Sequence, residues 1–391
     1  MNAGKLAHMR TLYAVVCLCL WFVAAGLGQP ARQASLSRGV PFYVGTYTDG
    51  ASKGIYRAVL DPATGQLSEP VLAAEGVNPS FLAWHPSRPV LYAVSETSSG
   101  PGKAGFVLAF AIEPDGRLKK INEQPSGGPG PCFVSVTASG SHVLVANYDG
   151  GSVASFAVRA DGGLEPAASV VQHEGSGITD RQKGPHAHSI VPAPGGRFFV
   201  SADLGIDRVL VYALDRKTGR LAAHVPPSTA STPGAGPRHV VFHPAGDALY
   251  VINELASNVS TYGWDGARGV LTDRGVASTL PESFTGFNTT AEVTVHPSGK
   301  FVYGSNRGHD SIAVFRVNAD RTLTRTSVTR TGGRMPRHFA VDPSGHFLLA
   351  ANQRSNSITV FRIDQATGAL TTAAKKVSVG SPVCVRFGPG G

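Results

Sequence analysis

Cysteine is scarce in this chain, and so is charge. Only 4 cysteines occur in 391 residues, and two of them, Cys17 and Cys19, fall in an N-terminal segment expected to be removed. Cys132 and Cys384 remain, and two thiols make no disulfide framework, so both are expected to be free and buried. Asp, Glu, Lys and Arg make up 16% of the chain against 42% hydrophobic residues, which excludes a disordered chain and is ample for a core. The formal net charge is +9, yet lysines and arginines are scattered singly, with no basic block or basic helix; this is not a nucleic-acid footprint. No stretch has helical periodicity, and neither H-E-x-x-H nor a cysteine cluster is present to hold zinc. Glycine (47) and proline (27) are abundant, and they favour many turns between short strands.

The first segment reads as separate from the fold. Lys5 and Arg10 precede the apolar run "LYAVVCLCLWFVAAGL", which ends in small residues at Ala24, Ala25, Gly26 and Gly28. A basic start, an apolar centre and a small-residue exit are the pattern of a secretory signal over residues 1–28. Residues 29–39 then read as a linker, and 40–391 as the folded domain. Its removal takes two positive charges with it. The mature chain is expected to be periplasmic or secreted, with no membrane association once the signal is cleaved; an uncleaved anchor is the alternative.

One unit repeats through the remainder. "NPSFLAWHPSRPVLYAVSE", "GPCFVSVTASGSHVLVANY", "GPHAHSIVPAPGGRFFVSADL", "GPRHVVFHPAGDALYVINEL", "TAEVTVHPSGKFVYGSNR" and "MPRHFAVDPSGHFLLAANQ" each carry a strand, a turn and a second strand, with copies about 45 to 54 residues apart. A seventh copy, "SPVCVRFGPGG", stops after its first strand, and "FYVGTYTDGASKGIYRAVL" near Phe42 supplies the missing partner. A polar hairpin signal of the "DPATGQL" kind also recurs seven times. Together these predict an all-β, seven-bladed β-propeller closed by pairing the N- and C-terminal strands. A closed ring offers few strand edges, so a monomer is expected.

In such a ring, polar residues just before each first strand and just after each second strand converge on one mouth. At the exits stand Glu96, Asn147, Asp203, Asn253 with Glu254, Asn306 with Arg307, and Asn352 with Gln353. At the entries stand His186 and His188, Arg238 with His239, Glu292, and Arg337 with His338. The asparagines have a plain structural reading, satisfying loop backbone. His85, His243 and His296, in the strand-to-strand turns, read as structural. Two residues apart on a strand, His186 and His188 are expected on one face, as a metal pair, an acid or base, or hydrogen-bonded core groups. Acidic exits offer oxygen ligands to Ca²⁺, but arginines in the same ring oppose a cation, so metal-free chemistry is expected and no cofactor is implied. Asn288-Thr289-Thr290 matches a glycosylation sequon.

Taken together, "YVGTYTDGASKGIY", "GPHAHSIV", "DLGIDRVLVY", "GPRHVVFHP", "VINELASNVSTY", "SNRGHDSIAVF" and "PRHFAVDPSGHFLLAANQ" resemble the seven-bladed propeller lactonases. That family includes bacterial propeller-type 6-phosphogluconolactonase and, distantly, a fungal carboxymuconate lactonising enzyme. The resemblance covers nearly the whole mature chain. It implies lactone hydrolysis at a site of one histidine, two arginines and one glutamate, matched here by His188, Arg238, Glu254 and Arg307. His186, Asp203, Asn253, Asn306, Arg337, Glu96 and Asn147 are then expected to bind substrate. In this reading Glu254 is the base for water, the two arginines hold the oxyanion, and His188 protonates the leaving oxygen. The expected partner is a small sugar-derived or anionic lactone, and export favours an unphosphorylated one. A cycloisomerase using the same four residues and a non-catalytic binding propeller are the competing readings.

Overall fold

Seven antiparallel sheets of strands in sequence order account for the repeats. The computed structural model describes residues 39–98 and 105–388; the signal and all but the last residue of the linker lie outside them. Two short 3₁₀ turns, Asp180–Gln182 and Gln353–Ser355, are the only helical segments among the described residues. The closing sheet pairs Pro382–Phe387 with Val40–Thr46, Gly54–Leu60 and Val71–Glu75, so both chain ends share one blade.

Each blade reads its position from burial. The second strands are covered on both faces: in His142–Asn147, sequence HVLVAN, and in Ala248–Asn253, sequence ALYVIN, all residues are buried. A strand packed between two neighbouring blades needs no polar face, which explains a continuous apolar run instead of alternation. In an outermost strand such as Leu118–Pro125, LKKINEQP, every residue but Leu118 is exposed or half-buried. In the sixth repeat the outer strand is split into Leu370–Thr372 and Val377–Ser378, both paired with Ser357–Ile363.

The turn motifs bind neighbouring blades together. Tyr43, Tyr92, Tyr250 and Tyr303 each donate a phenol hydrogen bond, at 2.7 to 3.1 Å, to a carbonyl in the outer hairpin of an adjacent repeat. His243 and His296 reach the turn carbonyls of Gly299 (3.0 Å) and Gly345 (2.8 Å). Each such bond contributes about 1 kcal/mol net, and its larger effect is to leave no buried carbonyl unmet. The structural reading of these histidines holds at these two positions. Cys132 and Cys384 are free and buried. The Asn288 amide is buried and spent on Ser257 Oγ and Asn306 Oδ1, which closes that sequon to a glycan in the folded chain.

Candidate active site

The innermost strands deliver the site through one recurring device. Six of the seven carry a register shift against the second strand, each near the start of the inner strand. In four blades the extra residue is Cys132, His188, Arg238 or Arg337. A bulge turns one side chain out of the alternation and re-aims it; here all four residues gather around the same end of the axis. The turn before the bulge requires left-handed backbone, supplied by Gly236 (φ +65°) ahead of Arg238 and by Met335 (φ +61°) ahead of Arg337. The bulge also separates the two histidines that alternation placed together. His186 lies before the strand, with Nδ1 on the Tyr148 carbonyl at 2.9 Å and its ring stacked on Tyr148 at 4.5 Å, whereas His188 lines the cavity.

That cavity, about 340 Å³, opens at the mouth ringed by the second-strand exits. Its wall contains Glu96, His188, Glu254, Arg307 and Arg337 from the sequence-derived set, and adds Cys132, Tyr148, Arg181, Phe287, Thr289 and Met335. A larger cavity of about 550 Å³, lined by turns at residues 137–141 and 192–196, has Arg216 as its one charged side chain and no catalytic constellation.

Glu254 is the electrostatic centre. Its Oε2 accepts from Arg238 Nε at 3.0 Å and lies 2.8 Å from Arg307 Nη2, and its Oε1 accepts from Arg181 Nη2 at 3.2 Å. Burial alone would raise its pKa, but Arg307, Arg238, His188 and Arg181 outweigh it and hold the carboxyl well below the usual carboxylate range. Arg238 stands behind the wall, with Nη1 donating to the Ala291 carbonyl at 2.6 Å and to His239 Nε2 at 3.2 Å. Arg307 gives Nη2 to the Thr290 carbonyl at 2.7 Å, while its buried Nε has no partner. Burial lowers its pKa to about 10, partly offset by Glu254, so it remains charged at neutral pH. On the far side, Tyr47 donates to Glu96 at 2.9 Å and accepts from Arg337 Nη2 at 2.8 Å.

His188 is the group left free. Its Nδ1 lies 3.5 Å from Cys132 Sγ, its ring meets Tyr148 edge-on at 5.1 Å, and Nε2 has no hydrogen-bond partner among the described residues. Burial, then Arg238 and His239, push its pKa well below that of an ordinary imidazole, so the ring is neutral at pH 7. Burial, together with Glu96, keeps the Cys132 thiol protonated.

Other members of the predicted set are not brought to the cavity. Asn147 donates to the Ser126 carbonyl and Ser152 Oγ, Asn253 to Asn258 and Ser260, and Asn306 to the Thr279 carbonyl and Ser311 Oγ. Each ties the end of a second strand to the strand beside it. Asp203 accepts from the His186 and Gly205 amides (2.8 and 2.9 Å) and pairs with His173 Nδ1 at 2.6 Å, fixing the entry to the His188 strand. Arg181 was not anticipated from the sequence. It comes from a loop pinned by buried Gln182, whose amide donates to Asp207 Oδ1 at 2.7 Å and the Leu204 carbonyl at 2.8 Å.

The buried neutral imidazoles set an acid limit on stability. His188, His239 and His338 all have depressed pKa values, the last at about 3, with burial the first cause in each. As pH falls, the unfolded chain binds these protons first, so their contribution is intact above about 6.5 and declines below it. For His338 the decline runs from about 6.5 to about 3, at up to about 1.4 kcal/mol per pH unit. Urea unfolding between pH 7 and 4 should therefore show a falling midpoint, with a shallower slope in His338→Gln. An equal slope in both proteins would refute the assignment.

Comparison with known proteins agrees with this architecture. Residues 41–387 match the family described as lactonase, 7-bladed beta-propeller. The chain is 40% identical to 6-phosphogluconolactonase of Bacillus subtilis over 347 residues, 88% of this chain and 97% of that protein. The structure of a periplasmic gluconolactonase from Pseudomonas aeruginosa superposes with a TM-score of 0.85 at 33% identity, covering 89% of this chain and 99% of that one. A Lactobacillus plantarum protein structure gives a TM-score of 0.84, also at 33% identity and with the same coverage.

Proposed function

The chain belongs to the seven-bladed β-propeller lactonase family, and from that premise we propose that it hydrolyses an uncharged, sugar-derived lactone to its hydroxy acid without a metal. The carrying observation is the division of labour at the cavity. Both oxygens of Glu254 are occupied by arginines, whereas His188 presents an unpartnered imidazole nitrogen. A carboxylate so tightly paired is a weak base. His188 therefore takes the base role first read for Glu254, and Glu254 becomes the clamp for Arg307 and Arg181.

The reaction then runs in two steps. Water gives a proton to His188 Nε2 as its oxygen attacks the lactone carbonyl carbon, and the carbonyl electron pair moves onto oxygen. Arg307 and Arg337 donate N–H groups to that oxyanion, whose charge also raises the basicity of the nearby imidazole. On collapse the ring C–O bond breaks, and the imidazolium returns its proton to the departing alkoxide. One residue thus serves as base and then as acid. Arg238 holds Glu254 from behind the wall.

Charge counting supports an uncharged substrate. The wall itself carries Arg181, Arg307 and Arg337 against Glu96 and Glu254. Among these wall groups the surplus is one positive charge, enough for one oxyanion or product carboxylate and short of a phosphate carrying about two negative charges. Export through the N-terminal signal, followed by its removal, fits an unphosphorylated substrate met outside the cytoplasm. Because the cavity carboxylates are already paired with guanidinium or phenol groups, EDTA should leave the rate unchanged.

Purified mature protein assayed by proton release in EDTA should open gluconolactone with kcat/KM at least about tenfold above 6-phosphogluconolactone. A preference for the phosphorylated lactone would overturn the substrate reading. Loss of rate in EDTA would overturn the metal-free reading, and folded protein silent on every lactone would overturn the lactonase reading.

A further inference from the structure

Beneath the cavity lies a buried cluster for which the proposed chemistry has no direct use. Glu292 lies in the strand Thr289–Val295, inside the irregular stretch between Thr290 and Val293, and is turned toward the axis. Its Oε2 lies 2.9 Å from His239 Nδ1 and 3.2 Å from His338 Nε2. A carboxylate between two imidazoles has the composition of a metal site, and the hydrogen atoms decide against one. Arg238 Nη1 is always a donor, so His239 Nε2, at 3.2 Å from it, accepts. His239 then carries its proton on Nδ1 and donates to Glu292. The Val385 amide donates to His338 Nδ1 at 3.3 Å, which leaves the His338 proton on Nε2, facing the same carboxylate oxygen though not aligned as a full hydrogen bond. No nitrogen lone pair remains directed at a cation. Neutral rings are also what their burial favours.

We infer that Glu292 is a positioning residue for Arg238: it fixes the His239 ring, whose Nε2 holds the Arg238 guanidinium in place, and Arg238 in turn orients Glu254. The chain Glu292–His239–Arg238–Glu254 then crosses from below the cavity to its wall through contacts of 2.9, 3.2 and 3.0 Å. A solvated imidazole prefers its proton on Nε2, so the Nδ1–H form of His239 is imposed by its two neighbours. The two histidines consequently hold opposite tautomers around one oxygen. The catalytic part of this inference rests on the lactonase reading; the proton placement does not.

Two experiments test it separately. In the full mature chain labelled with ¹⁵N-histidine, with assignments from His239→Gln and His338→Gln, His239 is expected to show protonated Nδ1 and bare Nε2, and His338 the reverse. His239 protonated on Nε2, or on both nitrogens, would overturn the inference, and no substrate is needed to learn it. In the lactone assay, Glu292→Gln is expected to lower kcat about tenfold with KM within about twofold, because oriented catalysis is lost and substrate binding is not. In an Arg238→Lys background the same change should cost less than about twofold, since the two residues act as one unit. Losses that multiply independently would make Glu292 merely structural and overturn the proposal. If no lactone is opened, the lactonase reading falls, and the tautomers still decide whether Glu292 commands Arg238.

Discussion

Replacing His188 with alanine is expected to lower kcat on the preferred lactone about a thousandfold while the protein remains folded. General acid–base catalysis contributes on the order of 10² to 10⁴ in rate, and here one imidazole is assigned both proton transfers. The side chain sits at a bulge and lines a cavity, so its removal enlarges existing space instead of opening a void in the packed sheets. Its pKa lies well below 6.5 because of burial, Arg238 and His239. The wild-type kcat/KM profile should therefore remain level on lowering pH through 6.5, where an ordinary histidine base would already be losing rate. A break near 6.5, or an alanine variant within about tenfold of wild type, would remove His188 from the base role and return it to Glu254.

The architecture was legible because its signals were local and repeated. Seven hairpin signals and six complete strand pairs fixed the blade count, and the unpaired pieces at the two ends announced the closing sheet found at Phe42 and Phe387. The candidate cavity was legible at Glu96, His188, Glu254, Arg307 and Arg337, which line it, because the repeat register brings the corresponding positions of the blades to one mouth. Two kinds of residue resisted. The bulges at His188 and Arg238 break the period of two, so alternation put His186 and His188 on one face when only one of them reaches the cavity. Arg181 lies in a loop outside the repeat, and its place depends on a buried amide, Gln182, bonded to Asp207 across 25 residues. The T-x-x-Q spacing of Thr179 and Gln182 was a visible sign of an ordered turn there. The exit asparagines carried a warning too: Asn147 and Asn306 are each followed five residues later by the serine that accepts from their amides.

Removing the charge of Glu254 is the largest stability change we expect. Glu254→Gln leaves Arg238, 2% exposed, and Arg307, 7% exposed, without the carboxylate that faces both. A buried ion pair adds little over a well-packed apolar core, but breaking one strands its partner, at a cost of about 3–5 kcal/mol. That predicts a clear drop in the urea midpoint at pH 7, with a slope still reporting full unfolding. The sign with pH follows from the direction of the shift. Because the folded pKa of Glu254 is depressed, its stabilisation is complete above about 4.5 and is lost as pH falls below that value. The gap between wild type and Glu254→Gln should accordingly narrow below about pH 4, where the wild-type unfolded chain takes up the proton that the variant cannot. Pairing the change with Arg238→Met should recover part of the loss, since it removes one stranded charge and keeps the volume. A gap that persists undiminished at low pH would show that the loss comes from packing or hydrogen bonding and not from the charge that holds the two arginines at the wall.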